Sequence, residues 1–187
     1  MHLEIARAGV GSEVELFVLE PSHVTSQYVD WLNDPAINRF LESRFGVHTM
    51  ESTRTYVAAI LESPDNLFLG IRYRPANRGG RSSHVGNIKL GPINRQHLTG
   101  DIGLMIGDRT AWGKGVATAS IRLLCDIARS SLRLRKVTAG CYASHIGSRR
   151  AFEKAGFVVE GTRRDQYLLD GHPEDVVLLG LLLQGPG

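Results

Sequence analysis

Only two of the 187 residues are cysteine, Cys125 and Cys141, and they form neither a CxxC pair nor a disulfide framework. Each sits among apolar neighbours, where a thiol reads as a small core residue, and the missing framework points to a reducing compartment. No apolar run approaches the roughly 18 residues that a membrane-spanning helix needs. The opening stretch MHLEIARAG has no apolar signal core. These absences predict a cytoplasmic chain with no membrane partner. No repeat, linker or low-complexity block marks a boundary, so residues 1–187 are expected to form a single domain. Lysine is also scarce: Lys89, Lys114, Lys136 and Lys154 stand against 18 arginines.

What is present is ordinary in amount and uneven in placement. Hydrophobic residues make up 42% and charged residues 22%, which excludes a disordered chain. A chain of this length buries about 70% of its unfolded surface and needs no metal or disulfide to fold. Residues 1–93 carry a net charge of −1 and residues 94–187 a net charge of +4. Arginine offers a planar fork to phosphates and carboxylates, so the excess suggests a phosphate-bearing small partner; a solvated Arg-rich surface is the competing reading. A polynucleotide binder carries a larger basic surplus, and no nucleic-acid partner is expected.

Hydrophobic periodicity orders the elements. Val14 to Leu19 reads as a strand. Pro21 opens a helical stretch with Val24, Tyr28, Trp31 and Leu32 on one face. Pro35 starts a short helix carrying Ile37, Phe40 and Leu41. Thr49 caps a third, with Tyr56, Val57, Ile60 and Leu61 as its buried stripe. Leu67 to Arg74 is a strand, 75–83 a loop, and Val85 to Ile93 and Asp101 to Ile106 a hairpin. Val116 to Ser130 is an amphipathic helix, Val137 to Tyr142 a strand, and Ile146 to Ala155 a helix ending at Gly156. Phe157 to Glu160 starts a strand, and Tyr167 to Leu169 and Val176 to Leu183 form a hairpin over Asp170-Gly171. Strands interleaved with helices give an α/β class with a mixed sheet.

The most informative stretch is Trp112-Gly113-Lys114-Gly115-Val116-Ala117-Thr118, between a strand and the amphipathic helix. Free N–H groups at a helix start bind anions, and glycines let the backbone approach phosphate oxygens. Alone, such a turn is as readily a plain connection. It is not a Walker A loop, because the hydroxyl after Lys114 is missing. It is not a dinucleotide fingerprint, because Thr118 holds the third glycine position.

The turn is similar to the coenzyme A loop of the GNAT acetyltransferase superfamily, Gln/Arg-x-x-Gly-x-Gly/Ala, matching at Gly115 and Ala117, with Trp112 departing from the usual Gln or Arg. A second block, Ala143 to Phe157, resembles the family's Asn-x-x-Ser-x-x-x-(aromatic)-Glu-Lys-x-Gly-Phe at Ser148, Phe152, Glu153, Lys154, Gly156 and Phe157. The aromatic-Gly-Lys-Gly start looks like the branch that holds ribosomal-protein alanine acetyltransferases and nucleotide-sugar amine acetyltransferases. The resemblance covers roughly 14–183 and is most specific over 101–164. It implies a mostly antiparallel central sheet flanked by helices, with two parallel strands splayed to form an acetyl-CoA cleft.

By that resemblance Leu104, Met105 and Ile106 face the pantetheine arm. The N–H groups of Trp112, Gly113, Lys114, Gly115, Val116 and Ala117, with Thr118 beside them, hold the pyrophosphate. Arg109, Lys114, Arg149 and Arg150 are candidates for the adenosine phosphates. An amine attacks the thioester directly, so the chain needs no nucleophile. Many members use a Tyr to reprotonate the thiolate; Phe152 stands in its place, leaving Ser148, His145 or water. Asp101 is the candidate base, with a plain strand-end carboxylate as the alternative. His145, in place of the family's Asn, is a proton relay, a cofactor ligand or a solvated helix start. The segment Trp31 to Phe45 is similar to enzymes that acetylate nucleotide-linked amino sugars. Arg39, Arg44 and Lys89 are therefore candidates for a diphosphate, and Asn38, Glu42 and Asn87 for sugar hydroxyls. The competing readings are a peptide N-terminal or small-amine acetyltransferase and a non-catalytic acyl-CoA-binding module. Either a monomer or a homodimer fits.

Overall fold

The computed structural model describes residues 6–7, 13–75 and 82–183. Residues 76–81 of the loop expected at 75–83 therefore lie outside the described residues, as does most of the N-terminal stretch, and Ser83 already belongs to a strand. The strands are β1 (Ala6–Arg7), β2 (Val14–Val18), β3 (Leu67–Tyr73), β4 (Ser83–Asn94), β5 (Thr99–Ile106), β6 (Lys136–Tyr142), β7 (Val158–Leu169) and β8 (His172–Leu182). The helices are α1 (Ser26–Asn33), α2 (Pro35–Asn38), α3 (Met50–Glu62), α4 (Val116–Ser130) and α5 (Ile146–Lys154). One sheet runs in the order β1-β2-β3-β4-β5-β6-β8-β7. Every neighbouring pair is antiparallel except β5 and β6.

Side-chain alternation divides the sheet into two faces. On one, Ile88, Ile102, Val137 and Ala139 pack with Ile121, Leu124 and Ala128 of α4 and Phe152 of α5. On the other, Phe17 and Met105 pack with Tyr28 and Trp31 of α1 and Val57 of α3. Cys125 and Cys141 are both buried and free, and burial pushes the Cys125 thiol up to about 12. They are core residues.

Local chemistry explains where the elements differ from their sequence pattern. The stretch from Pro21 is not one helix. Pro21–His23 makes a single 3-10 turn, Val24 is extended, and the Thr25 hydroxyl accepts from Tyr28 N to start α1 at Ser26. Asp34 caps α2 by accepting from Ala36 N, and α2 ends at Asn38, leaving Phe40 and Leu41 beyond it. Thr49 and Ser52 form a capping box on α3. The buried side of α3 is narrower than its apolar stripe: Thr53 and Val57 are covered, while Tyr56 and Leu61 are about half exposed. The last two expected strand pieces on one side are a single strand, β7, interrupted by irregularities at Val159/Gly161 and Arg163/Tyr167.

Candidate active site

The single parallel pairing is short. Thr99, Gly100 and Asp101 lie opposite Lys136, Val137 and Thr138, and there the ladder stops, although β5 continues to Ile106 and β6 to Tyr142. Beyond Asp101 and Thr138 the two strands part. On the far side of β5 the antiparallel ladder to β4 remains, and Gly107 N donates to Val85 O at 2.8 Å. Antiparallel alternation then ties the peptide groups of Met105 and Gly103 to β4 and turns those of Ile102, Leu104 and Ile106 into the split. One of these is already engaged: the Trp112 indole N–H donates to Ile106 O at 2.8 Å.

Above the split, Gly113 and Gly115 adopt left-handed φ values of 70° and 78°, and a Cβ built on either meets nothing within 4 Å. Gly115 is the N-cap of α4, and no side chain among the described residues caps that helix. Its first N–H groups therefore face open space at the positive end of a 15-residue helix. Lys114 is exposed beside them, and the Arg109 guanidinium lies 5.6 Å over the Trp112 ring. Thr118 Oγ1 reaches Ala151 O of α5 at 3.4 Å. A split strand pair leading to an uncapped helix start fits a long ligand with a slender arm and a pyrophosphate, which is the shape and charge of an acyl-coenzyme A.

Asp101 marks the fork. Thr138 Oγ1 donates to its Oδ1 at 2.8 Å, so both side chains lie on the α1 face. The chain packed around it raises the Asp101 carboxyl, while the Thr138 hydrogen bond and the Lys89 charge pull the other way. Asn87 and Lys89 share this face. A register irregularity in the β3–β4 ladder puts His84 there too, and His84 Nε2 lies 2.9 Å from both Gly86 O and Asn87 Oδ1. Both partners are oxygens, so Nε2 carries the hydrogen, and the Asn87 amide is oriented with Nδ2 away from His84. That buried Nδ2 finds no partner among the described residues. Burial among the Phe17, Tyr28 and Trp31 rings holds His84 below its ordinary value.

At the open end of β6, the Tyr142 hydroxyl donates to Glu42 Oε1. Arg44 lies 3.4 Å from the same oxygen, donates to Leu41 O and Leu168 O at 2.9 Å each, and covers the Tyr142 ring. The His145 ring stacks on Phe40 with centroids 4.2 Å apart, and burial lowers its pKa. Ser148 follows on α5 and makes no hydrogen bond to the described residues. Phe152 is in the core against Phe157 and has no proton to give. Arg149 pairs with Glu153 at 2.8 Å, while Arg150 is exposed.

The sequence-derived acceptor residues separate into two groups. Asp101, Lys89, Asn87 and Glu42 line one face of the sheet near the split. Asn38 instead donates to Leu32 O at 2.8 Å and is buried, Arg44 is engaged as above, and Arg39 pairs with Asp170 at 2.6 Å. Thr138 and Tyr142 do not stand out in the sequence. Only the register of β5 against β6, whose paired residues are 37 apart in sequence, brings them to the site.

Fold and cleft define an acyl-CoA-binding α/β domain. A match to the acetyltransferase (GNAT) domain family spans residues 14–158, and the chain belongs to that family. It is 37% identical over 99 residues to "Probable N-acetyltransferase YjcK" of Bacillus subtilis, covering 52% of this chain and 54% of that protein. The chain thus spans about half the length of the curated relatives it matches. Its fold is similar to spermidine N-acetyltransferase from Vibrio cholerae, crystallised with CoA and spermine, at a TM-score of 0.80 and 18% identity over 91% of this chain and 96% of that one. It is also similar to the microcin C7 self-immunity acetyltransferase MccE, solved with acetyl-CoA and AMP, at a TM-score of 0.77 and 18% identity over 91% of this chain and 92% of that one.

Proposed function

We propose that the chain is an N-acetyltransferase that moves the acetyl group of acetyl-CoA to a primary amine. The observation that carries this is the parting of β5 and β6 beyond Asp101 and Thr138, under the uncapped start of α4. Leu104 and Ile106 offer peptide groups to the pantetheine arm, and residues 113–118 offer N–H groups to the pyrophosphate. The amine nitrogen bonds to the thioester carbon, the C–S bond breaks, and the thiolate leaves with the bonding pair. Asp101, its carboxyl raised by burial and held in place by the Thr138 hydrogen bond, takes the ammonium proton directly or through water. The thiolate takes up a proton lost by the reacting nitrogen, relayed through water and through the Ser148 hydroxyl or the two ring nitrogens of neutral His145, each taking one proton as it passes one on. Proximity and the dipoles facing the split supply most of the acceleration.

For the acceptor, a small cationic amine is the reading we favour. Glu42 presents a carboxylate at Tyr142, whose ring lies beside that of Phe40, and Asp101 presents one at the fork, while Arg44 is occupied within the chain. The fold neighbour crystallised with spermine acts on such an amine. A nucleotide-linked amino sugar is the second reading, favoured by the Lys89 ammonium, which makes no hydrogen bond to the described residues, and by the unpartnered Asn87 Nδ2. Thiol release from acetyl-CoA, followed over spermidine, an alanine-terminated peptide and a UDP-linked amino sugar, tests both. Turnover with spermidine well above the others supports the first reading; preference for the sugar reverses the order. Absence of acetyl-CoA binding removes both.

A further inference from the structure

Resting on that acetyltransferase reading, we propose that Gly103 of β5 and Gly140 of β6 form the port through which the acceptor amine reaches the thioester. Glycine in a strand weakens it and packs nothing, so each such glycine needs a reason. Elsewhere in this sheet a reason is visible, at Gly161 the register irregularity of β7. A Cβ at Gly70 would lie 2.2 Å from the Phe17 ring, and one at Gly86 would lie 2.2 Å from Met105 O. At Gly103 a Cβ meets nothing within 4 Å, and at Gly140 it meets Val176 at an ordinary 3.6 Å. Neither glycine has a positive φ. The fold therefore requires glycine at neither position.

The two positions correspond across the split. Asp101 lies opposite Thr138, so two residues further along each strand Gly103 comes level with Gly140, where the ladder has ended. Both glycines turn to the face of Asp101 and Thr138, since their neighbours Ile102, Ala139 and Cys141 are in the core on the α4 face. Below them the Thr138–Asp101 hydrogen bond closes the fork. Above them stand Met105 and Tyr142, both buried. Between these pairs β5 and β6 themselves put no side chain on the acceptor face, and Val176 and Leu178 of β8 flank it beside Gly140. An amine entering there meets the thioester between the strands, with the Asp101 carboxylate at the fork to receive its proton. The missing side chains are a requirement of the substrate path.

The test is Gly103→Val and Gly140→Val, with Gly161→Val as a control. Gly161 lies on β7 with open space at its Cβ, two strands from Gly140 in the same row, with Leu178 of β8 between them and no edge on the split. Valine favours extended backbone, so all three variants should unfold at or above the wild-type temperature. Acetyl-CoA affinity by calorimetry is expected to stay within about twofold of wild type in all three. Turnover of the best amine should fall about 30-fold or more in the two port variants and not in the control. Hydroxylamine, small enough to pass a narrowed port, should keep its rate within about fivefold. Wild-type turnover of the large amine by Gly103→Val and Gly140→Val overturns the port. Equal loss with hydroxylamine also overturns it, by showing damaged chemistry and not a blocked path. Failure of the underlying reading looks different: wild-type protein then binds no acetyl-CoA.

Discussion

The two sides of the split differ in which atoms they leave available. Toward α4 the groups left available are peptide groups: those of Leu104, the Ile106 N–H, whose C=O the Trp112 indole takes, and the N–H groups of residues 113–118. Toward α1 they are side chains, and several of those are already bonded within the chain. Asn38 holds Leu32 O, Arg44 holds Leu41 O and Leu168 O, and Arg39 holds Asp170. Backbone recognition depends on chain path and tolerates changes of side chain, such as Trp112 in place of a polar residue. Side-chain recognition depends on which groups remain unbonded after folding, and folding decides that.

The largest effect should come from Asp101→Asn, which removes the proposed base on the acceptor side. The turnover number is expected to fall about 100-fold or more, with acetyl-CoA affinity unchanged. The pH dependence gives the sharper check. Wild-type activity should rise with pH through a pKa above the ordinary carboxylate range, and the variant should lose that limb. Stability moves the opposite way. A carboxyl raised in the fold contributes stability that is present below its unfolded pKa and lost as pH rises through the folded one. Asp101→Asn should therefore melt above wild type at neutral pH, and the difference should vanish near about pH 3.

Next comes the backbone side. Gly115→Val puts a β-branched residue at φ 78°, at the cap of α4. The turn must move, and acetyl-CoA affinity should drop about 30-fold by calorimetry. Lys114→Ala leaves the N–H groups where they are and should cost only about threefold. If the two losses come out equal, side-chain charge and not backbone carries the recognition.

This ordering matches what was legible in the sequence. The turn above the split was readable because a chain path leaves local traces: Gly113 and Gly115 before an amphipathic run, and Gly156-Phe157 after α5. The element boundaries of α4 and the mixed sheet followed from the same local patterns. The acceptor side was not readable to that depth. Arg39, Arg44 and Asn38 have the composition of a polar site, but their partners Asp170, Leu168 and Leu32 are set by tertiary packing. Thr138 joins Asp101 only through a parallel register that no local signal encodes. His84 shares a face with Asn87 only because the β3–β4 ladder is irregular between them.

A middle-sized effect separates the acceptor carboxylate from its support. Glu42→Gln keeps the hydrogen bond from Tyr142 and removes the charge. For spermidine, KM should rise about tenfold with little change in turnover number. Arg44→Ala should instead lower stability by about 1 kcal/mol, because it takes the guanidinium donor from Leu168 O and one of two donors each from Leu41 O and Glu42. Chemical denaturation and acceptor kinetics on the pair show whether binding and support are separable in this segment.

The smallest effect is expected for Arg39→Ala, and it bears directly on the acceptor. Arg39 and Asp170 form a close pair, but the two side chains are 53% and 64% exposed. An ion pair so open to water is worth about 0.5 kcal/mol or less, and salt screens it further. The melting temperature should hardly move, and spermidine kinetics should stay within about twofold of wild type. A UDP-linked amino sugar gives the discriminating measurement. If Arg39 leaves Asp170 to meet a diphosphate, KM for that sugar should rise about tenfold in the variant while spermidine is unaffected. That result would make the acceptor side a phosphate site after all, with Arg39 as a movable charge. An unchanged KM for both acceptors leaves Arg39 as a surface clasp on the β7–β8 turn and leaves acceptor choice to Glu42, Asn87 and Lys89.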